Sequence, residues 1–179
     1  MKKSRLFLMI LTALTLVISA CGSKEYQAED IDEETDTCDV CSMVVPDNQH
    51  ATQIVLEDGK VLKFDDIGCL HEWKDENGED DIGAEFVRDY NSQDWIELKD
   101  ATFAYHEEFE TPMAYGVYSF KEKADAEKLI EEEGKGELLT ADDLANHKWE
   151  MNMDMKDHGD HGDHDDHDEH DEHDEEDDE

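Results

Sequence analysis

Beyond Lys156 the chain is written in only four residue types, Asp, Glu, His and Gly. No apolar core can be built from them, so whatever folds must lie upstream. At the other end, Leu6 to Ile18 is an almost unbroken apolar run behind Lys2, Lys3 and Arg5. It has the length of a signal-peptide core and falls short of the roughly 20 residues a membrane span requires. The run closes in Ile18-Ser19-Ala20-Cys21 and is followed by Gly22-Ser23-Lys24. This is the pattern of a bacterial lipobox, in which the Cys21 thiol is diacylated and the chain is cut just before it. Two acyl chains suffice for a stable anchor. The expected divisions are a signal peptide at 1–20, lipidation at Cys21, a flexible acidic tether over 21–37, a folded body at 38–150 and a disordered tail at 151–179. With 53 Asp and Glu against 15 Lys and Arg, a net charge of -38, nucleic acid and anionic membrane surfaces are poor partners.

The body predicts an α+β fold. Gln53 to Leu56 is a short β-rich run, Asp58-Gly59 a hairpin turn, and Val61, Leu62 and Phe64 the returning strand. Asp65 or Asp66 can cap a helix carrying Ile67, Leu70, His71 and Trp73, which Asn77-Gly78 ends. Ala84 to Tyr90 alternates as a third strand. The order then repeats. Ile96 to Tyr105 holds a strand and Met113 to Phe120 its partner. Lys121 to Glu133 is a helix with Ala124, Leu129 and Ile130 inward, closed by Gly134 and Gly136. Glu137 to Thr140 is a last strand and Ala141 to His147 a final helical turn. Two small tandem ββαβ units, about 48–92 and 93–147, follow. Neither could bury much surface alone, so they must pack together.

Besides Cys21 the chain has Cys38, Cys41 and Cys69. An odd number leaves a thiol without an internal partner, which favours metal or redox chemistry over stapling. Cys38-Asp39-Val40-Cys41-Ser42-Met43 sets two thiols and a thioether within six residues. These are soft ligands that select Cu(I) over hard cations. A zinc site would want a second ligand pair downstream. A thioredoxin-type pair should open a helix after a strand, whereas Pro46-Asp47-Asn48 follows here. Met113, fixed between Pro112 and Gly116, is a further soft candidate. His50 can add an imidazole, and Cys69, with His71 close by, is either a ligand at a helix start or a buried apolar thiol. His106 and His147 read as surface residues. No Ser/His/Asp or paired-carboxylate arrangement stands out, so no enzyme is expected.

In the tail Met151, Met153 and Met155 alternate. His158, His161, His164, His167, His170 and His173 then recur at every third residue among carboxylates. In a polyproline-like chain the imidazoles would line one face and bind Cu(II) or Zn(II) weakly at several places.

The segments Cys38 to Met43, Phe64-Asp65-Asp66-Ile67-Gly68-Cys69, Val87 to Tyr90, Trp95-Ile96 and Thr111-Pro112-Met113 through Phe120, together with the lipobox, resemble the NosL family. These are lipoproteins that accompany nitrous oxide reductase and supply copper for its catalytic centre. The resemblance spans roughly 38–140. It implies a tandem ββαβ fold, Cu(I) binding at Cys38, Cys41, Met43 and Met113, and hand-over to the reductase or its membrane transporter and maturation complex. The lipobox itself places the mature protein at the cell membrane, lipid-anchored and facing outside the cytoplasm. The chain departs from the family in one respect: Ser42 stands where the family usually has Gly. A general metal-buffering or detoxification lipoprotein and a thiol oxidoreductase using Cys38 and Cys41 are the rival functions.

Overall fold

The structure is a computed structural model and describes residues 24–156. The signal run, Cys21 and the tail histidines lie outside the described residues. Strands β1 (Thr52–Leu56) and β2 (Val61–Phe64) form the expected hairpin. Gly59 takes φ 93°, and Asp58 Oδ1 accepts from Lys60 N at 2.9 Å. Helix α1 (Ile67–Asn77) follows and ends at Gly78, φ 80°. Of the two candidate caps, Asp66 is the one used, accepting from Gly68 N. Strand β3 (Ile82–Arg88) then pairs antiparallel with β1.

The second unit repeats the plan. Strands β5 (Thr102–Tyr105) and β6 (Val117–Phe120) form a hairpin, helix α2 (Lys123–Glu133) crosses over, and β7 (Glu137–Thr140) returns beside β5. The sheets run β2-β1-β3 and β6-β5-β7, so in each the first strand of the hairpin is central and the strand after the helix joins it. Fold class and tandem plan are as the sequence predicts. Short helices α3 (Ala141–Leu144) and α4 (Met153–Lys156) complete the described chain.

Four details differ. Ile96 to Tyr105 holds two strands. β4 (Trp95–Glu97) extends the first sheet beside β3, and a 3-10 turn at Leu98–Asp100 carries the chain to β5. Buried Leu98 drives this break, plugging the core where no Gly or Pro marks a turn. Met113 lies in the turn ahead of β6, not in the strand. On α2 the inward residue is Ala126, with half-buried Leu129 and Ile130 at the i+3 and i+4 positions, while Ala124 is exposed.

The fourth concerns the ends of the body. The expected tether is packed from residue 24 onward. Gln53, fully buried on central β1, exchanges two hydrogen bonds with the backbone of Glu29: Glu29 N donates to Oε1 at 2.8 Å, and Nε2 donates to Glu29 O at 2.7 Å. Ile31 joins the core, and the Tyr26 ring lies where a Cβ on Gly83 would be 2.3 Å away. An amide buried on a central strand needs partners, and this acidic segment supplies them. Residues 151–154, expected to be disordered, are also tied down: Asn152 N donates to Ala114 O at 2.9 Å, and Asn152 Nδ2 to Glu107 O at 2.8 Å.

One core cluster spans both units, with Val45, Ile54, Phe64, Leu70 and Val87 from the first and Phe103, Val117 and Leu144 from the second. Polar bonds join the units as well. Tyr90 N donates to Ser119 O, and Lys121 N to Asp89 Oδ1, each at 2.8 Å.

Candidate metal centre

The segment ahead of β1 doubles back on itself, with Thr37 bridged to Val44. Cys38 N donates to Met43 O at 2.8 Å, and Ser42 N to Cys38 O at 3.0 Å. Closing so tight a loop forces Ser42 to φ 63°. A side chain in that left-handed region costs about 1 kcal/mol, which a glycine would not incur. The chain thus keeps the glycine-type backbone with Ser in place, and the loop turns both thiols inward against the end of β2 and the start of α1.

Cys38 is buried, Cys41 is half-buried, and Cys69, in the first turn of α1, is fully buried. Asp65, the residue between β2 and its neighbour's cap, is 1% exposed. One ligand atom from each of Cys38, Cys41, Asp65 and Cys69 lies within 4.8 Å of all the others. The Cys41 thiol donates to Asp65, at 3.4 Å to Oδ1 and 3.5 Å to Oδ2. Cys69 is thus both a buried thiol of the core and within reach of the other three groups. Asp65 was not anticipated. Its signal was the Asp65-Asp66 pair itself: only one carboxylate can cap α1, which leaves the other for a different task.

The four groups share protons unequally. A hydrogen bond from the Cys69 thiol pulls Cys38 down to about 4, against its burial and with help from backbone N–H groups around it. The same bond, with burial and the charge of Cys38, pushes Cys69 up. Burial first, then Cys38, raises Cys41 to about 12. Burial and then the charge of Cys38 raise Asp65 to about 6. One thiolate is therefore ready as a first ligand, and two thiols need an incoming cation to displace their protons. Thiol–disulfide exchange needs a thiolate that a disulfide can reach. Here Cys38 and Cys69 are buried and only Cys41 is half-buried.

The other candidates fall around this cluster. Met43 closes the loop through its carbonyl and leaves its side chain 52% exposed. Met113 is buried in the same core cluster as Cys38 and Cys69, and its N–H donates to Asp66 Oδ2 at 2.9 Å. His50 stands apart: its ring lies 5.6 Å from that of Tyr118 and its Nε2 meets Gln49 Nε2 at 3.1 Å. Burial there lowers its pKa to about 4. His71 stacks on Trp149 at 4.2 Å between ring centroids. His147, expected on the surface, is half-buried edge-on to Tyr105 and Trp149. His106 Nδ1 accepts from Glu108 N at 3.1 Å.

A search of curated proteins returned no match. The crystal structure of the copper chaperone NosL from Shewanella denitrificans matches with a TM-score of 0.59 and 25% identity, covering 66% of this chain and 96% of that one. The family model NosL matches residues 30–149, a span that holds the thiol loop, Asp65, Cys69, both sheets and Trp149. That match covers well over half of the chain, which belongs to the NosL family.

Proposed function

We propose that this protein is an extracytoplasmic carrier of Cu(I), anchored to the cell membrane through diacylated Cys21, that passes copper to nitrous oxide reductase or to the reductase's membrane maturation complex. The observation that carries the reading is the convergence of three thiols and one carboxylate, each with a ligand atom within 4.8 Å of the others. Thiolates bind Cu(I) in preference to hard cations. The solved relative is a copper chaperone. Copper here is cargo, and the protein's task is to hold and release it, which needs no catalytic group. Export and anchoring rest on the sequence around Cys21; no helix among the described residues is long and apolar enough to cross a membrane. The burial of Cys38 and Cys69, which leaves only Cys41 half-buried, speaks against a thiol oxidoreductase. The tail histidines we assign to weak capture of Cu(II) or Zn(II).

One observation favours a second metal. The Asp65 carboxylate is a hard ligand, and a three-sulfur, one-oxygen set also suits Zn(II). Competition of the reduced protein against a Cu(I)-selective chelator, and separately against a Zn(II) chelator, decides between them. The expected result is one tightly held Cu(I), lost in the Cys38→Ser/Cys41→Ser variant and weakened in Cys69→Ser. Equal Cu(I) affinity in parent and variants would sink the assignment.

A further inference from the structure

Among the described residues, the large apolar side chains left exposed are Met43, Val44, Met151 and Met153. Every Phe, Leu and Ile is at least half-buried there, and three of the four exposed side chains are methionine, a residue that ordinarily fills core gaps. Met43 belongs to the loop already described. Met151 and Met153 lie on a different element, the strap that follows Trp149.

That strap is held in place. Trp149 stacks on His71, two residues beyond Cys69, and Asn152 is fixed by its bonds to Ala114 O and Glu107 O. On either side of the half-buried Asn152, Met151 is 37% exposed and Met153 is 57% exposed. Met151 immediately precedes helix α4 and Met153 opens it, and both line the same surface cleft. With three rotatable bonds each, their thioethers can converge on one ion. They line a surface cleft of about 270 Å³ together with Tyr105, Glu107, Glu150 and Asp154. Its carboxylates raise the local concentration of any cation, while the thioethers supply the soft, proton-free ligands. Hydrogen bonds between sequence neighbours tie the strap back to the buried thiols. Ala114, bonded to Asn152, follows Met113; Met113 is bonded to Asp66; and Asp65 next to it is bonded to Cys41. On its other side the strap opens into the sequence that carries His158 onward.

We propose that Met151 and Met153 form a second, exchangeable Cu(I) site at the surface, which collects copper and hands it to the buried thiol cluster. No electron moves: Cu(I) exchanges thioether ligands for thiolates, and the displaced thiol protons pass to solvent. The inference rests on the Cu(I)-carrier reading for its direction of transfer but not for the surface binding itself.

The test uses the full chain. In Met151→Leu/Met153→Leu, shape and apolarity are kept and the thioethers are lost. Equilibrium Cu(I) affinity should match the parent, while stopped-flow uptake from a Cu(I)–chelator complex should slow about tenfold, because a local relay makes transfer intramolecular. In a second measurement, Ag(I) is titrated into reduced protein with Cys38, Cys41 and Cys69 changed to Ser, and the Met151 and Met153 ε-methyl resonances should shift; if that triple variant fails to fold, the same resonances are read in parent protein after the thiols are filled. Unshifted methyls overturn the site whatever the buried cluster binds. Shifted methyls with parent-like uptake in the leucine variant overturn the relay. Parent protein that holds no Cu(I) tightly overturns the carrier reading instead.

Discussion

Asp66 joins the two halves of the molecule, and its replacement tests how they are coupled. Its buried carboxylate accepts from Gly68 N at 2.9 Å, capping α1, and from Met113 N at 2.9 Å, in the turn before β6. In Asp66→Ala the lost cap costs about 1 kcal/mol. The Met113 N–H, left buried without an acceptor, costs about 1–3 kcal/mol more. Burial also raises the Asp66 pKa, so removing the carboxylate returns part of that, and the net loss should be about 2 kcal/mol. Asp66→Asn keeps one acceptor oxygen and should lose about half as much. Urea unfolding followed by tryptophan fluorescence measures both, with an unchanged slope marking a change in stability alone. Cu(I) affinity should fall with stability in Asp66→Ala, because Cys69 follows the cap directly and Met113 carries the second bond. An Ala variant within about 0.5 kcal/mol of the parent, or an Asn variant worse than Ala, would refute the bridging role.

Asp65 gives a pH prediction. Its native pKa of about 6 lies above the ordinary 3.8, so the native state takes up its proton first and this group's contribution to stability grows as pH falls. Asp65→Asn should therefore be more stable than the parent at about pH 7.5, by an amount that shrinks toward about pH 5.5; a constant difference in urea midpoint between the two pH values sinks the idea. Gly116 sits at φ 69°, and a Cβ there would lie 2.1 Å from His106 O. Gly116→Ala should cost at least about 2 kcal/mol, read as a lower melting temperature, and a variant melting with the parent would show that the turn can relax.

The tandem ββαβ plan was legible because its punctuation is local: Asp58-Gly59, Asn77-Gly78 and Gly134 all end elements where expected. What was not legible depends on distant partners. The break between β4 and β5 has no turn residue and comes from Leu98 reaching the core. Docking of residues 24–36 hangs on the Gln53 amide, a polar residue in a run that otherwise reads as strand. At the site, Cys38 and Cys41 were readable from spacing and ligand softness. Cys69 came with an equal apolar reading, since only the fold brings α1 beneath the loop. Asp65 and Asp66 look alike in sequence; the first faces Cys41 and the second caps the helix, and nothing local tells them apart.

The packed N-terminal segment changes what an anchor at Cys21 would do. Lys24 Nζ already donates to Glu57 O in the β1–β2 turn, and Tyr26 lies on Gly83 of β3. A leash over residues 22–37 would have let the body roam roughly 55 Å from the bilayer, whereas the three peptide links from Cys21 to Lys24 span at most about 10 Å. The first sheet would then be moored at its hairpin end with little freedom to tumble. A client would meet the thiol loop in a narrow range of orientations and at a set height above the lipid.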